Sequence, residues 1–214
     1  VILPTEEEAS NFAAEFITEF INNNKNPVVG LATGGSVVMT YEALISKHQL
    51  GQVSFQETTT FNLDEYLGLA PNHAQSYRSY MNRTLFEHID IDPSKTYVPE
   101  CFDDNFDSAC SSYENEINKR GGIGLQLLGV GSNGHIGFNE PTSSFQSRTR
   151  VKTLTNSTLT QNARFFEASE NQPSLAITMG IGTIMEAENI LLIGLGKHKS
   201  KAVADVIEGP LSAF

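Results

Sequence analysis

The stretch that decides the expected fold is Leu127-Leu128-Gly129-Val130-Gly131-Ser132-Asn133-Gly134-His135-Ile136-Gly137-Phe138-Asn139-Glu140-Pro141. Its start lies inside an apolar run, Ile123 to Val130, whose one polar break is Gln126, and such a run predicts a buried strand. The run ends in a glycine-rich loop that carries His135 and, five residues later, Glu140. The stretch therefore predicts a strand followed by a loop with acid–base side chains.

The glycines of this loop also spell G-x-G-x-x-G, the dinucleotide-binding fingerprint, through Gly129, Gly131 and Gly134. That fingerprint needs a helix directly after its last glycine and an acidic residue about 20 positions further on. Gly137 and Pro141 make the following segment a poor helix start, and no acidic residue closes a second strand at that distance. The context argues against a bound dinucleotide.

Strand and helix patterns alternate along the rest of the chain. Apolar or β-branched runs predict strands at 28–32, 58–63, 123–130, 148–154, 175–179 and 189–195, with a short extended piece at 97–99. Helical periodicity predicts helices at 5–22, 37–48, 76–89, 106–119, 157–166, 182–187 and 199–208, and the polar segment 167–173 predicts a lid or loop. Because the central strands are apolar on both faces, the fold class is α/β with a mainly parallel sheet covered on two sides.

Composition limits the classes of partner. The 214 residues fit one domain, 1–214, and the net charge of −11 argues against nucleic acid or an anionic membrane surface. No apolar run approaches the roughly 20 residues of a membrane span. Cys101 and Cys110 form neither a C-x-x-C motif nor a disulfide framework, which favours a reducing, cytoplasmic setting. A small anionic ligand stays compatible with this charge, since a local cluster of donors can hold a phosphate.

Four loops follow predicted strands, and in a parallel sheet such loops meet in one crevice. One of them, Thr33-Gly34-Gly35-Ser36, offers backbone amides and a hydroxyl that suit a phosphate, although an ordinary strand-to-helix turn favours the same residues. Two distant cations, Arg164 and Lys199, could complete a clamp on a phosphate monoester.

Acid–base residues occupy two more of these loops. Asp64-Glu65 ends a strand and is compatible either with a helix cap and a solvated neighbour or with a general base in the crevice. His135 has Glu140 nearby, and a histidine oriented by a carboxylate can shuttle protons near neutral pH. No second histidine or cysteine stands at ligand spacing from His135, so the sequence predicts no metal site.

Five motifs occur in order and cover nearly the whole chain: LATGGS at 31–36, FNLDEY at 61–66, GVGSNGHIGFNEP at 129–141, SRTR at 147–150 and NARFF at 162–166. Together they resemble the glucosamine-6-phosphate deaminase family, also called glucosamine-6-phosphate isomerases.

This resemblance implies a modified Rossmann-like, three-layer sandwich without a nucleotide. It implies conversion of glucosamine 6-phosphate and water to fructose 6-phosphate and ammonia, without metal or organic cofactor. In that reaction Asp64 would move a proton between C2 and C1 of the opened sugar, and His135, held by Glu140, would open the ring. The implied substrate-binding residues are Tyr77 near the sugar and, at the phosphate, Gly34, Gly35, Ser36, Arg164 and Lys199.

Some positions depart from the commonest family pattern. Asn133 stands where some members carry an aspartate that pairs with the histidine, and an amide stabilises a charged imidazole less well. Val37 replaces a frequent proline, and Thr142 a frequent glycine. The chain ends at Phe214, before a last strand and tail that the resemblance leads us to expect.

Regulation and assembly stay open. Arg150, Lys152 and Thr153 match positions that, in some bacterial hexameric members, help to bind N-acetylglucosamine 6-phosphate as an allosteric activator. A charged, half-exposed strand face accounts for the same pattern without a ligand and is the favoured interpretation. Because the members with such an activator site are hexameric, a homo-oligomer is one expectation.

Three other functions compete with the deaminase. A galactosamine-6-phosphate isomerase and, more distantly, a 6-phosphogluconolactonase are similar in fold, but a lactonase has no need of proton transfer by Asp64. A non-catalytic sugar-phosphate sensor would have no reason to carry Asp64, His135 and Glu140 together.

Overall fold

The structure is a computed structural model that describes residues 1–100, 105–155, 159–160, 166 and 172–212. Its helices are α1 Glu6–Asn23, α2 Val38–Gln49, α3 Tyr77–Thr84, α4 Phe106–Lys119, α5 Ile181–Met185 and α6 Ser200–Glu208. Its strands are β1 Val28–Leu31, β2 Thr59–Asn62, β3 Asp64–Tyr66, β4 Thr96–Tyr97, β5 Leu125–Gly129, β6 Arg150–Thr153, β7 Leu175–Thr178 and β8 Asn189–Ile193.

The central sheet has five parallel strands in the order β4-β2-β1-β5-β8. Side chains alternate between its faces, as they must in a strand. Thr60 of β2 faces a small cavity lined by Ile17 of α1 and Leu44 of α2, whereas Phe61 meets Tyr113 of α4 edge to face at 5.6 Å. Helices therefore cover both faces, and the predicted α/β sandwich with a mainly parallel sheet is confirmed.

A smaller antiparallel sheet, β3-β7-β6, packs beside the central one. The sequence predicted only that the strand at 58–63 stops at Asp64. Instead, the chain leaves the parallel sheet after Asn62 and continues as β3, which pairs with β7 so that Asp64 lies opposite Thr178. The change of sheet places Asp64 at the carboxyl edge of the central strands.

Local signals account for the helix starts. The Thr5 side chain accepts a hydrogen bond from the N–H of Glu8 at 3.1 Å, as the predicted cap requires. Ser76 and Asn105 cap α3 and α4 in the same way. The predicted helix at 76–89 is α3 followed by a 3₁₀ turn at Phe86–His88. Most of the predicted helix at 157–166 and loop at 167–173 lies outside the described residues.

No helix in the described part of the chain is long and apolar enough to cross a membrane.

Candidate active site

A cavity of about 510 Å³ opens at the carboxyl ends of β1, β2, β5 and β8. Each of these strands sends the loop that follows it to the cavity wall, as expected for a parallel sheet. The wall includes most of the residues that the sequence singled out: Gly34, Gly35, Ser36, Asp64, Tyr77, His135 and Lys199.

Asp64 is the buried carboxylate of this cavity, with only 4% of its surface exposed. Burial, and then the negative charge of Glu65, raise the pKa of Asp64 to about 8. Gly137, with φ of 57°, lies against it: a Cβ on Gly137 would come within 2.9 Å of Asp64 Oδ2. A carboxyl group that titrates near neutral pH can act as general base and general acid in turn.

Glu65 points away from the cavity, because neighbouring residues of a strand face opposite sides. Its carboxylate accepts hydrogen bonds from the N–H groups of Tyr77 at 2.8 Å and of Arg78 at 2.9 Å, at the start of α3. Of the two alternatives for Asp64-Glu65, the structure thus assigns the cap to Glu65, which is buried rather than solvated.

His135 is held by a short relay of side chains. Its Nδ1 lies 2.7 Å from Oδ1 of Asn133, and the Asn133 Nδ2 donates to Glu140 Oε2 at 2.8 Å. Because the carboxylate only accepts, the amide nitrogen faces Glu140 and the amide oxygen faces the ring, so Nδ1 is the protonated nitrogen of neutral His135. Its Nε2 therefore carries the lone pair.

The electrostatics of His135 favour the neutral ring. Burial lowers the pKa of His135, the charge of Glu140 raises it, and that of Lys199 lowers it again. Glu140 Oε2 lies 3.9 Å from Nδ1, behind the amide of Asn133. Asn133 and Glu140 do not line the cavity themselves, so they act through His135.

Glycine shapes this loop at one decisive point. A Cβ on Gly131 would lie 2.3 Å from His135 Nδ1, so the imidazole needs a glycine there. The loop is also tied to the antiparallel sheet by Asn139, whose Nδ2 donates to the carbonyl groups of Ile136 at 3.0 Å and Met179 at 2.8 Å. Asn139 was not predicted from the sequence, because an asparagine in a loop carries no distinctive signal.

Another part of the wall carries donors for an anion. Gly34, with φ of 102°, leads from β1 into the 3₁₀ turn Gly35–Val37, and the first N–H groups of such a turn have no partner within it. Lys199 approaches from the turn Lys197–Lys199 after β8, and this turn adds His198 to the wall. The predicted phosphate loop and one predicted cation thus lie at one cavity, while Arg164 lies outside the described residues.

Aromatic rings form the side of the cavity next to Asp64. Tyr77 donates from its hydroxyl to that of Tyr66 at 3.3 Å, and its ring stacks on Phe138 with centroids 6.2 Å apart. Burial is the main cause that raises the pKa values of both tyrosines. Phe138 is a further wall residue and was not predicted from the sequence.

The residues of the predicted allosteric site lie elsewhere. Arg150, Lys152 and Thr153 are on β6, at the edge of the antiparallel sheet, and none lines the cavity. The Arg150 guanidinium donates to the carbonyl of Arg148 at 3.3 Å, and its partial burial lowers its pKa.

Known proteins match this chain over nearly its whole length. The family model described as "Glucosamine-6-phosphate isomerases/6-phosphogluconolactonase" matches residues 5–213. A glucosamine-6-phosphate deaminase of Colwellia psychrerythraea is 51% identical over 214 residues, which is all of this chain and 80% of that protein. One of Shewanella woodyi is 51% identical over 213 residues, with 100% and 81% covered.

Solved structures show the same fold. A monomeric glucosamine-6-phosphate deaminase matches with a TM-score of 0.94 and 45% identity, over 99% of this chain and 88% of that one. A 6-phosphogluconolactonase from Leishmania guyanensis matches with a TM-score of 0.74 over 98% and 86%, but its 18% identity supports the shared fold alone.

Proposed function

The chain belongs to the family of glucosamine-6-phosphate isomerases and 6-phosphogluconolactonases, and we propose that it deaminates glucosamine 6-phosphate to fructose 6-phosphate and ammonia, with Asp64 and His135 as its acid–base pair. One observation carries the proposal: a carboxyl group that titrates near 8 and an imidazole oriented by an amide line the same cavity.

Ring opening is the step for His135. Neutral imidazole can take the proton of the anomeric hydroxyl on Nε2 and return it to the ring oxygen, which breaks the C1–O5 bond. Asn133 fixes the tautomer that leaves Nε2 free for this exchange, and Glu140 fixes Asn133.

Isomerisation is the step for Asp64. Its carboxylate removes the C2 proton of the open aldehyde while O1 takes up the proton that the C2 ammonium gives up, which forms an enolamine. The carboxyl group of Asp64 then delivers a proton to C1. The product carries an imine at C2, which water hydrolyses to the ketone of fructose 6-phosphate with release of ammonia. The charge of the substrate also suits a base at this position. An ammonium group at C2 favours the ionised form of Asp64 when the substrate binds.

The phosphate end supplies binding energy far from the reacting carbons. Backbone amides at Gly34 and Gly35, the hydroxyl of Ser36 and the ammonium of Lys199 are donors on the wall of the same cavity. A phosphate held there restricts C1 and C2 to the region of Asp64 and His135. Arg164, outside the described residues, is proposed as a further phosphate ligand, and a cytoplasmic location is part of the same proposal.

The test is to incubate the protein separately with glucosamine 6-phosphate, galactosamine 6-phosphate and 6-phosphogluconolactone. We expect ammonia and fructose 6-phosphate from the first substrate. Faster ammonia release from the galactosamine sugar would reassign the epimer, and acid production from the lactone without deamination would reassign the chemistry.

Two variants test the assigned roles. Asp64→Asn should abolish exchange of the C2 proton with D₂O, while Asp107→Asn, which removes an exposed carboxylate on α4, should leave it intact. His135→Gln should slow ring opening, so an open-chain substrate should recover most of the lost turnover. Exchange at the wild-type rate in Asp64→Asn, or equal losses on cyclic and open-chain substrates in His135→Gln, would contradict these roles.

A further inference from the structure

The first turn of α3 depends on a residue outside the helix. A helix leaves its first N–H groups without partners inside the helix. Here Ser76 accepts from Ser79 through its side chain at 3.0 Å and from Tyr80 through its carbonyl at 2.9 Å. The two remaining donors, Tyr77 N–H and Arg78 N–H, both go to the Glu65 carboxylate.

These hydrogen bonds connect the strand that carries Asp64 with the helix that carries Tyr77. Glu65 and Asp64 are neighbours on β3 and point to opposite sides, so Asp64 faces the cavity while Glu65 faces the start of α3. Tyr77 is the first residue of that helix, and its ring returns to the cavity wall beside Asp64. The backbone position of Tyr77 is thus set by the residue next to the proposed base.

The same carboxylate also acts on Asp64 through charge. Burial raises the pKa of Glu65, whereas three backbone N–H groups and Arg78 favour its ionised form. The other titratable or charged groups are Tyr66 on the same strand, Tyr77 on α3, and the side chains that line the same cavity: Glu6, His135, His198 and Lys199. Of these neighbours, Glu65 is the one that raises the pKa of Asp64 by a like charge.

We propose that Glu65 is a positioning residue of this site: its carboxylate holds the start of α3 so that Tyr77 lies beside Asp64, and its negative charge acts on Asp64 itself. The role in turnover rests on the proposed deaminase activity, whereas the structural and electrostatic roles do not.

A matched pair of variants separates the two roles. Glu65→Gln keeps the length of the side chain but removes its charge and turns one acceptor into a donor that faces an N–H group. Glu65→Asp keeps the charge but is one methylene shorter, so it reaches the start of α3 less well. Thermal unfolding of both variants reports whether α3 still packs.

The decisive measurement is the titration of Asp64 itself. Protein labelled with ¹³C at the aspartate carboxyl groups gives one signal that Asp64→Asn removes, and its shift against pH yields the pKa of Asp64 without any substrate. We expect Glu65→Gln to lower that pKa by about one unit, the usual effect of removing one nearby like charge. Glu65→Asp should leave it within a few tenths of the wild-type value.

Kinetics then test the positioning role. In Glu65→Gln the acid limb of the kcat/KM profile should move down with the pKa of Asp64. In Glu65→Asp the limb should stay, while KM for glucosamine 6-phosphate rises because Tyr77 is displaced. Wild-type KM in Glu65→Asp would overturn the positioning role, and equal titration shifts in both variants, or none in Glu65→Gln, would overturn the charge role.

The two proposals fail in different ways. A wild-type protein that releases no ammonia refutes the deaminase assignment, yet the titration still decides whether Glu65 acts on Asp64. If Glu65→Gln does not fold, the KM and titration of Glu65→Asp still decide the positioning role.

Discussion

Asn133 holds His135 through two hydrogen bonds, from the backbone N–H at 3.2 Å and from Nδ1 of the ring at 2.7 Å. The Asn133 amide is itself oriented by the hydrogen bond that it donates to Glu140. A neutral side chain thus does the orienting at a position where the family resemblance leads one to expect a carboxylate in some members. The side chain that contacts Nδ1 is therefore neutral, and the carboxylate of Glu140 lies behind it, with Oε2 at 3.9 Å from Nδ1.

Asn133→Ala should lower kcat/KM for glucosamine 6-phosphate about fivefold, because one hydrogen bond of roughly 1 kcal/mol no longer orients the ring. Asn133→Asp should recover most of that loss, since a carboxylate also accepts from Nδ1. It should also raise the pKa of His135, which a pH profile or imidazole NMR titration measures. Equal losses in both variants would show that accepting a hydrogen bond from His135 Nδ1 is not the contribution of Asn133 to turnover.

Gly131→Ala should lower kcat about a hundredfold, within the contribution of a positioned acid–base group. The added methyl group would lie 2.3 Å from His135 Nδ1, so the ring has to move. Gly129→Ala is the matched control, because its methyl group would meet Ser36 Cβ at an ordinary 3.6 Å. Steady-state rates and circular dichroism of both variants check the prediction, which fails if the two lose activity equally.

The sequence was sufficient to predict the place of the site for a simple reason. Parallel strands end at one edge of a sheet, so the loops after β1, β2, β5 and β8 had to converge. Hydrophobic runs mark such strands clearly, whereas short pieces such as β3 have no periodicity of their own. The place of β3 in the antiparallel sheet is therefore a result of the structure: β3 pairs with β7, more than 100 residues away, as Asp64 opposite Thr178 shows.

Side-chain contacts between strands could not be predicted from the sequence either. Gln126 was only a polar break in an apolar run, yet it is fully buried, and its amide fills the space over Gly30 on β1, where a Cβ would lie 2.0 Å from Oε1. Likewise, nothing in Asp64-Glu65 tells which carboxylate faces the cavity until the start of α3 is placed beside Glu65. Such pairings are set by register and not by composition.

We expect the ionised Asp64 to lower the free energy of unfolding at neutral pH. Its folded-state pKa of about 8 lies above the ordinary aspartate value, so the folded state binds more protons than the unfolded state between about pH 4 and pH 8. Stability contributed by Asp64 therefore falls as pH rises through that window. Asp64→Asn should be more stable than wild type by a few kcal/mol at pH 8 and indistinguishable near pH 4. Urea unfolding at both pH values measures this, and a constant difference would contradict the raised pKa.

Arg150, Lys152 and Thr153 give a prediction about regulation. If they bind an activator, initial rates against glucosamine 6-phosphate are sigmoidal and become hyperbolic with N-acetylglucosamine 6-phosphate. Arg150→Ala should then lose the response, while Lys119→Ala on the exposed end of α4 keeps it. Such cooperativity requires a homo-oligomer, which sedimentation velocity detects. Hyperbolic curves in all cases would favour a plain charged strand face.

Lys199→Ala should raise KM for glucosamine 6-phosphate about tenfold to a hundredfold, with a smaller effect on kcat. One charge-assisted hydrogen bond to a phosphate contributes roughly 1.5–3 kcal/mol, and the reacting carbons lie at the other end of the sugar. Lys197 is an exposed cation on the same turn and does not line the cavity, so Lys197→Ala serves as the control. Inorganic phosphate should compete with substrate in wild type and weakly in Lys199→Ala. Equal KM changes in the two lysine variants would show that general positive charge, and not a phosphate contact, is responsible.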